Sequence, residues 1–96
     1  GDLNVARSAG AGFVLDGKII YAGGECKTPD AEQRLTFDDV EVYDPASDSW
    51  TELPLMAEGR HATAVVAMGN EGLVIGGNAG CGGDLRRDTV LSFTFN

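Results

Sequence analysis

The sequence predicts an all-β chain made of two consecutive copies of one antiparallel unit, with four short strands in the first copy and three in the second. Two observations carry this expectation. The stretch Arg7–Gly24 recurs without a gap at Arg60–Gly77, an offset of 53 that lays Arg7 on Arg60, Leu15 on Met68 and Gly23-Gly24 on Gly76-Gly77. Past the glycine pairs the register slips by three, because one loop is shorter, and Asp38–Tyr43 then matches Asp88–Phe93. Self-similarity at a period near fifty residues marks a repeat architecture.

Each element follows from local chemistry. Residues around 10–15 and 18–22 are short apolar runs on either side of Asp16-Gly17, a pair that suits a two-residue type I′ hairpin because both positions accept positive φ. Gly23-Gly24 ends the second run. Val40, Glu41 and Val42 alternate apolar and polar, the pattern of a half-buried strand. Asp44-Pro45 stops that strand, since proline cannot donate to a ladder and Asp-Pro favours turns. Ser49–Leu53 reads as a fourth strand closed by Pro54. The second copy repeats the first three strands around Ala64–Ala67, Leu73–Ile75 and Asp88–Phe93, with no counterpart of Ser49–Leu53 before Asn96.

Four antiparallel strands with tight turns in about fifty residues make one propeller blade. A hydrophobic strand, Gly23-Gly24, then Tyr43 and, seven residues on, Trp50 resemble the kelch repeat. The second copy matches through Gly76-Gly77 and Phe93, an aromatic where that repeat usually has Tyr. The resemblance covers nearly the whole chain and implies a single kelch-type unit over 1–96. Its first blade runs over about 7–54 and its second over about 60–96, lacking the outer strand. A closed propeller takes about four to eight blades, so two are incomplete unless the chain oligomerises.

Strands such as Phe13–Leu15, Ile19–Tyr21, Ala64–Ala67 and Leu73–Ile75 are apolar on both sides, as suits sheets covered on both faces. Two blades cover one interface and leave two outer faces bare, each about 300 Å² in projection from strand spacing and rise. Patches of that size call for a partner. The expectation is a homo-oligomer, with a trimer of six blades favoured over a tetramer of eight, or a place within a longer propeller.

The formal charge is −8, from fifteen acids against seven bases spread along the chain. Such a field disfavours nucleic acid, whose binding requires lysine and arginine on phosphates, and its plainer role is solubility. No apolar run approaches the roughly 20 residues that cross a bilayer, so neither nucleic acid nor membrane is an expected partner. No basic stretch followed by an apolar one opens the segment, as a signal peptide would. Its start at Gly1 leaves a processed or excised segment open.

Arg7 and Arg60 precede the innermost strands at equivalent positions. Their first reading is structural, a bond to loop carbonyls or to a neighbouring acid. The kelch resemblance implies a second role, since some kelch domains bind acidic peptide motifs through Arg and Ser at inner loop positions. Arg7-Ser8 matches that pattern and Arg60-His61 matches half of it. Glu25 and Asn78 open the loops 25–37 and 78–87, which should emerge at the same end of the blades. Loops on a rigid scaffold are where binding residues usually sit. The candidate ligand- or peptide-binding residues are therefore Arg7, Ser8, Glu25, Arg60, His61 and Asn78, facing a protein or peptide partner with an acidic motif.

Cys26 and Cys81 follow the glycine pairs at near-equivalent positions. A disulfide is geometrically conceivable, but two free loop thiols are the expected state. Zinc held by Cys26, Cys81 and His61 would lack the close ligand spacing of structural sites.

Catalysis finds little support. His61 is the only histidine, and Asp38-Asp39 points its carboxylates to opposite faces of a strand. Gly12–Lys18 mimics a phosphate-binding G-x-x-x-x-G-K, yet Ile19 stands where Ser or Thr is required and no helix follows. The glycine-rich run Gly76–Gly83 fails as a dinucleotide site for the same reason. The copper constellation of galactose-oxidase-like kelch enzymes has no match here. No cofactor, metal or catalytic residue is expected. The reading is a non-enzymatic interaction module. The alternatives are a fragment of a larger carbohydrate-active or oxidase-like propeller enzyme and a purely structural unit.

Overall fold

The computed structural model describes residues 1–25, 36–81 and 85–94. It holds two antiparallel sheets. The first is β1 (Ala11–Leu15), β2 (Lys18–Ala22), β3 (Val40–Asp44) and β4 (Ser49–Leu53), in that spatial order. The second is β5 (Ala64–Met68), β6 (Glu71–Ile75) and β7 (Val90–Thr94). The four-plus-three division expected from the repeat is the observed one. Asp16 and Gly17 have φ of 52° and 74°, the pair of positive values that a type I′ hairpin between β1 and β2 demands.

The core lies between the sheets. Register puts Phe13 opposite Ile20, and Ile20 opposite Val42, so an apolar row crosses β1 to β3 and ends at Thr51 on β4. Val65, Val74 and Leu91 form the facing row of the second sheet. Ile20, Ala22, Val40, Met56 and Val74 are buried together, with Phe13, Leu53 and Phe93 packed around them. The innermost strands β1 and β5 touch along the seam. Phe13 and Phe93 meet across it with ring centroids 6.2 Å apart.

Glu41 departs from the alternation read in β3. It is fully buried at 0% exposure, like its neighbour Val40. The segment before β1 folds across the outer face of the first sheet, so the amides of Asn4 and Val5 donate to the Glu41 carboxylate at 2.8 and 3.3 Å. Arg7 Nη2 approaches the same carboxylate at 3.3 Å. A charge on the supposed solvent face is thus satisfied internally, which burial of a carboxylate requires.

Both outer faces also expose apolar side chains. Val66, Met68, Ile75 and Val90 are 41%, 62%, 40% and 53% exposed on the second sheet. On the first, Val14 is 68% exposed beside Ile19.

The glycine pairs have different neighbours. A Cβ on Gly23 would lie 2.2 Å from the Arg60 carbonyl oxygen, whereas one on the equivalent Gly76 would meet nothing nearer than the Arg87 oxygen at 3.4 Å. Both have positive φ, 77° and 64°. Gly76→Ala should therefore cost only the left-handed conformation, about 1–2 kcal/mol. Gly23→Ala should cost about 3 kcal/mol or more, because backbone must also move. Urea unfolding of both variants checks this, and equal midpoints would show that the Arg60 contact does not discriminate them.

Candidate functional site

The segments that enter each blade meet the loops that leave its glycine pair at one end of the molecule. Ser8 bridges Glu25 and His61 bridges Asn78 through single backbone ladders, the same contact repeated at the offset of 53. Ala9 and Ala62, one residue further on, both take left-handed φ of 62° and 54°. These turns swing the chain from each bridge into β1 and β5.

All six sequence-predicted residues gather at this end, in different states. Arg60 is 2% exposed. Its guanidinium donates to Glu58 Oε1 at 2.9 Å, to the carbonyls of Gly76 and Thr89 at 3.0 and 3.3 Å, and to Thr89 Oγ1 at 2.7 Å. The Arg7 side chain is 0% exposed. It donates to the Tyr21 carbonyl at 3.3 Å, and lies over the rings of Tyr21 and Phe37 at 5.2 and 6.0 Å. Both arginines tie the end of a blade's second strand to the start of its third. Neither presents its guanidinium at the surface of the described chain.

His61 is buried at the seam. Its Nε2 lies 2.8 Å from the Gly80 carbonyl, which can only accept, so that nitrogen carries the proton. Its Nδ1 lies 3.3 Å from Glu25 Oε2, a contact that joins the two loops. Asn78 Oδ1 accepts from the amides of Gly80 and Leu85 at 3.0 and 3.2 Å, folding its loop into a compact turn. Ser8 is exposed, and Glu25 is partly so. The loops themselves fall partly at residues 26–35 and 82–84, Cys26 included, which lie outside the described residues.

Free thiols were expected, and for Cys81 that expectation is corrected. Cys81 is disulfide-bonded and 3% exposed. The loop after the second glycine pair is drawn down onto the seam by His61 and Asn78, which places Cys81 in the interior. The sequence contains one other cysteine, Cys26.

Sequence reasoning missed four residues that build this end. Thr36, buried, donates from Oγ1 to the Ala79 carbonyl at 2.8 Å and ties the first blade's loop to the second's. Glu58 accepts from Arg60 and, bidentately, from Arg87 at 2.9 and 3.2 Å. Thr89 occupies the place that Asp39 holds beside Arg7 at 4.0 Å. Glu58 stands two residues before Arg60, but at a bend, so strand alternation gave no signal for it.

Residues 6–56 match the Kelch motif, more than half of the chain. The chain belongs to the kelch family. It is also similar to the Kelch-like protein terF of Aspergillus terreus (strain NIH 2624 / FGSC A1156), with 47% identity over 57 residues. That match covers 55% of this chain and 12% of the relative, so the chain spans a small part of the protein it matches. Kelch repeats generally act as non-enzymatic scaffolds that mediate protein–protein interaction.

The hydrogen bond from Arg87, opposed by desolvation and reinforced by the Arg60 bond, holds the Glu58 carboxyl below its ordinary value of 4.5. The unfolded chain therefore binds the proton more readily than the folded one in that range. The stabilisation is whole above the ordinary carboxylate range and is lost as pH falls through the lowered folded value. Thermal melts from about pH 6 down to about pH 2 should show Glu58→Gln less stable at the upper end and converging on the wild type at the lower. Parallel curves would show that Glu58 carries no such linkage.

Proposed function

We propose that this kelch unit is a non-enzymatic module that binds a protein or peptide through the loop end of its blades. The observation that carries the reading is the pair of repeated bridges, Ser8–Glu25 and His61–Asn78, which set the residues that open the two inter-strand loops beside one packed seam. Arg7 and Arg60 lie beneath these bridges and set their height. Ser8 and Glu25 are the accessible members, while His61 and Asn78 fix the backbone that carries the second loop. Backbone fixed in advance at the bridges loses little conformational freedom on binding, which favours affinity.

The test uses defined decapeptides, one rich in Asp and Glu and one rich in Lys and Arg, titrated into labelled protein. Chemical-shift changes at Ser8, Glu25 and Asn78 with the acidic peptide, abolished by Ser8→Glu, are the expected result. Asp16→Lys, at the opposite hairpin end, should leave binding intact. Shifts confined to the hairpin end, or indifference to Ser8→Glu, would remove the loop end from the function.

A second reading concerns what completes the propeller. The exposed apolar residues Val66, Met68, Ile75 and Val90 all lie on one sheet face, and this supports coverage by further blades. We propose closure between copies, a trimer supplying six blades. The alternative source is a longer parent chain. Light scattering across a dilution series should give three times the chain mass, reduced to one chain by Val66→Glu. A monodisperse monomer of the wild type would exclude closure between copies.

A further inference from the structure

We propose that Thr89 is a phosphorylation site, modified by a protein kinase that selects arginine pairs, and that its phosphate is held by Arg60 and Arg87. The site goes beyond the binding role given for the loop end and does not rest on it.

The sequence supplies the first observation. Arg86 and Arg87 stand three and two positions before Thr89, and no other serine or threonine in the chain has arginine at both places. Kinases select their substrates by charge patterns of this kind. Thr89 and Arg86 are exposed, and residues 87–89 belong to no strand or helix. A hydroxyl on such a connecting segment is open to an enzyme.

The charges around it supply the second. Arg60 Nη2 donates to Thr89 Oγ1 at 2.7 Å, while Arg60 Nε donates to Glu58 Oε1 at 2.9 Å. Arg87 holds the same carboxylate at 2.9 and 3.2 Å. Among the described residues, one carboxylate thus serves two guanidiniums. The first blade has the reverse arrangement. There Glu41 and Asp39 lie 3.3 and 4.0 Å from the single guanidinium of Arg7. Asp39 is the repeat equivalent of Thr89, and Glu41 that of Leu91. The second blade therefore has a hydroxyl where the first carries an anion. Phosphothreonine restores that anion with roughly two negative charges, and arginine is the side chain best shaped to hold it. Access does not depend on a missing neighbour. Asp39 keeps 14% of its side chain exposed with the second blade packed beside its own, on the wall of a surface cleft shared with Glu52 and Leu55.

In the transfer, Thr89 Oγ attacks the γ-phosphorus of ATP. The new O–P bond replaces the bond to the β–γ bridging oxygen, ADP leaves, and the hydroxyl proton passes to a carboxylate of the kinase. The phosphate then accepts from Arg60 in place of the hydroxyl and shares Arg87 with Glu58. Asp88 is exposed, so water damps its repulsion. The added bonds tie the entry of β7 to the segment that enters the second blade, and the modified protein is the more stable one.

The test incubates the 96-residue protein with magnesium, ATP and the catalytic subunit of cyclic-AMP-dependent protein kinase, then maps the phosphate by tandem mass spectrometry. A single phosphate at Thr89 is expected. Arg86→Ala, outside the Glu58 network, should lower kcat/KM for the transfer about tenfold. The purified phosphoprotein should melt about 5 °C above the unmodified protein, with the gain reduced in about 1 M salt. Thr89→Asp, which copies Asp39, should keep part of that gain, and Thr89→Asn should keep none. No phosphate at Thr89, phosphate there only in urea, or a rate indifferent to Arg86→Ala overturns the site. A phosphoprotein that melts at or below the unmodified one, a gain that salt leaves unchanged, or equal melts for Thr89→Asp and Thr89→Asn overturns the role of the arginines.

Discussion

The distance between the two blades is set by how closely the strand entering one blade can approach the glycine pair of the blade before it. The Gly24 amide donates to the Arg60 carbonyl at 2.9 Å, and the Gly23 amide to Asp39 at 2.9 Å. The two glycines divide the work. Gly23 makes room for the next blade, since its Cβ would collide with Arg60. Gly24 makes room for its own blade's entering segment, where a Cβ would lie 2.6 Å from the Ser8 oxygen, and Gly77 does the same against His61 at 2.5 Å. With that separation fixed, Phe13 can reach Phe93, and Val74 can join Ile20 and Val40 in one core. Widening it would cost the dispersion contacts of every residue in the seam.

The buried arginines solve a related problem by two routes. Each guanidinium spans the gap between a blade's second and third strands and donates to carbonyls there. Arg60 takes its negative charge from Glu58 on the incoming segment, and the rest of its donors meet carbonyls and a hydroxyl. Arg7 takes its charge from Glu41 within the sheet, and its Nε and Nη1 are buried with no hydrogen-bond partner. The faces of Tyr21 and Phe37 stand against that cation instead, an attraction that strengthens as water is excluded. Charges this deep are held by geometry, because removing one partner leaves the other unsolvated.

Strand positions, hairpin type and sheet division were legible because they are local: alternation, Asp16-Gly17 and Asp44-Pro45 act within a few residues. The repeat made the equivalence of Ser8 with His61, and of Glu25 with Asn78, legible too, and the structure places both pairs in matching bridges. What escaped was long-range. Glu41 reads as a solvent-facing strand residue until Asn4, Val5 and Arg7, some 35 positions earlier, fold over it. Cys81 reads as a loop thiol until His61 and Asn78 draw its loop inward. Periodicity reports which way a side chain points, but not what covers that face.

The same equivalence bears on what the exposed faces are for. Phe13, Leu15, Ile20, Ala22 and Val40, which face the seam in the first blade, correspond to Val66, Met68, Leu73, Ile75 and Val90, which face outward in the second. The outward face of the second blade is thus the repeat image of a surface already shown to be satisfied by a neighbouring sheet. The outward face of the first blade is its opposite kind, bearing Val14 and Ile19 beside the Glu41–Arg7 pair. Faces related in this way are the two sides of one blade-to-blade contact, and a contact of that kind between copies either closes into a ring or propagates. The separation of the two sheets, held at Gly23 and Arg60, is the spacing that any further sheet on these faces would have to match.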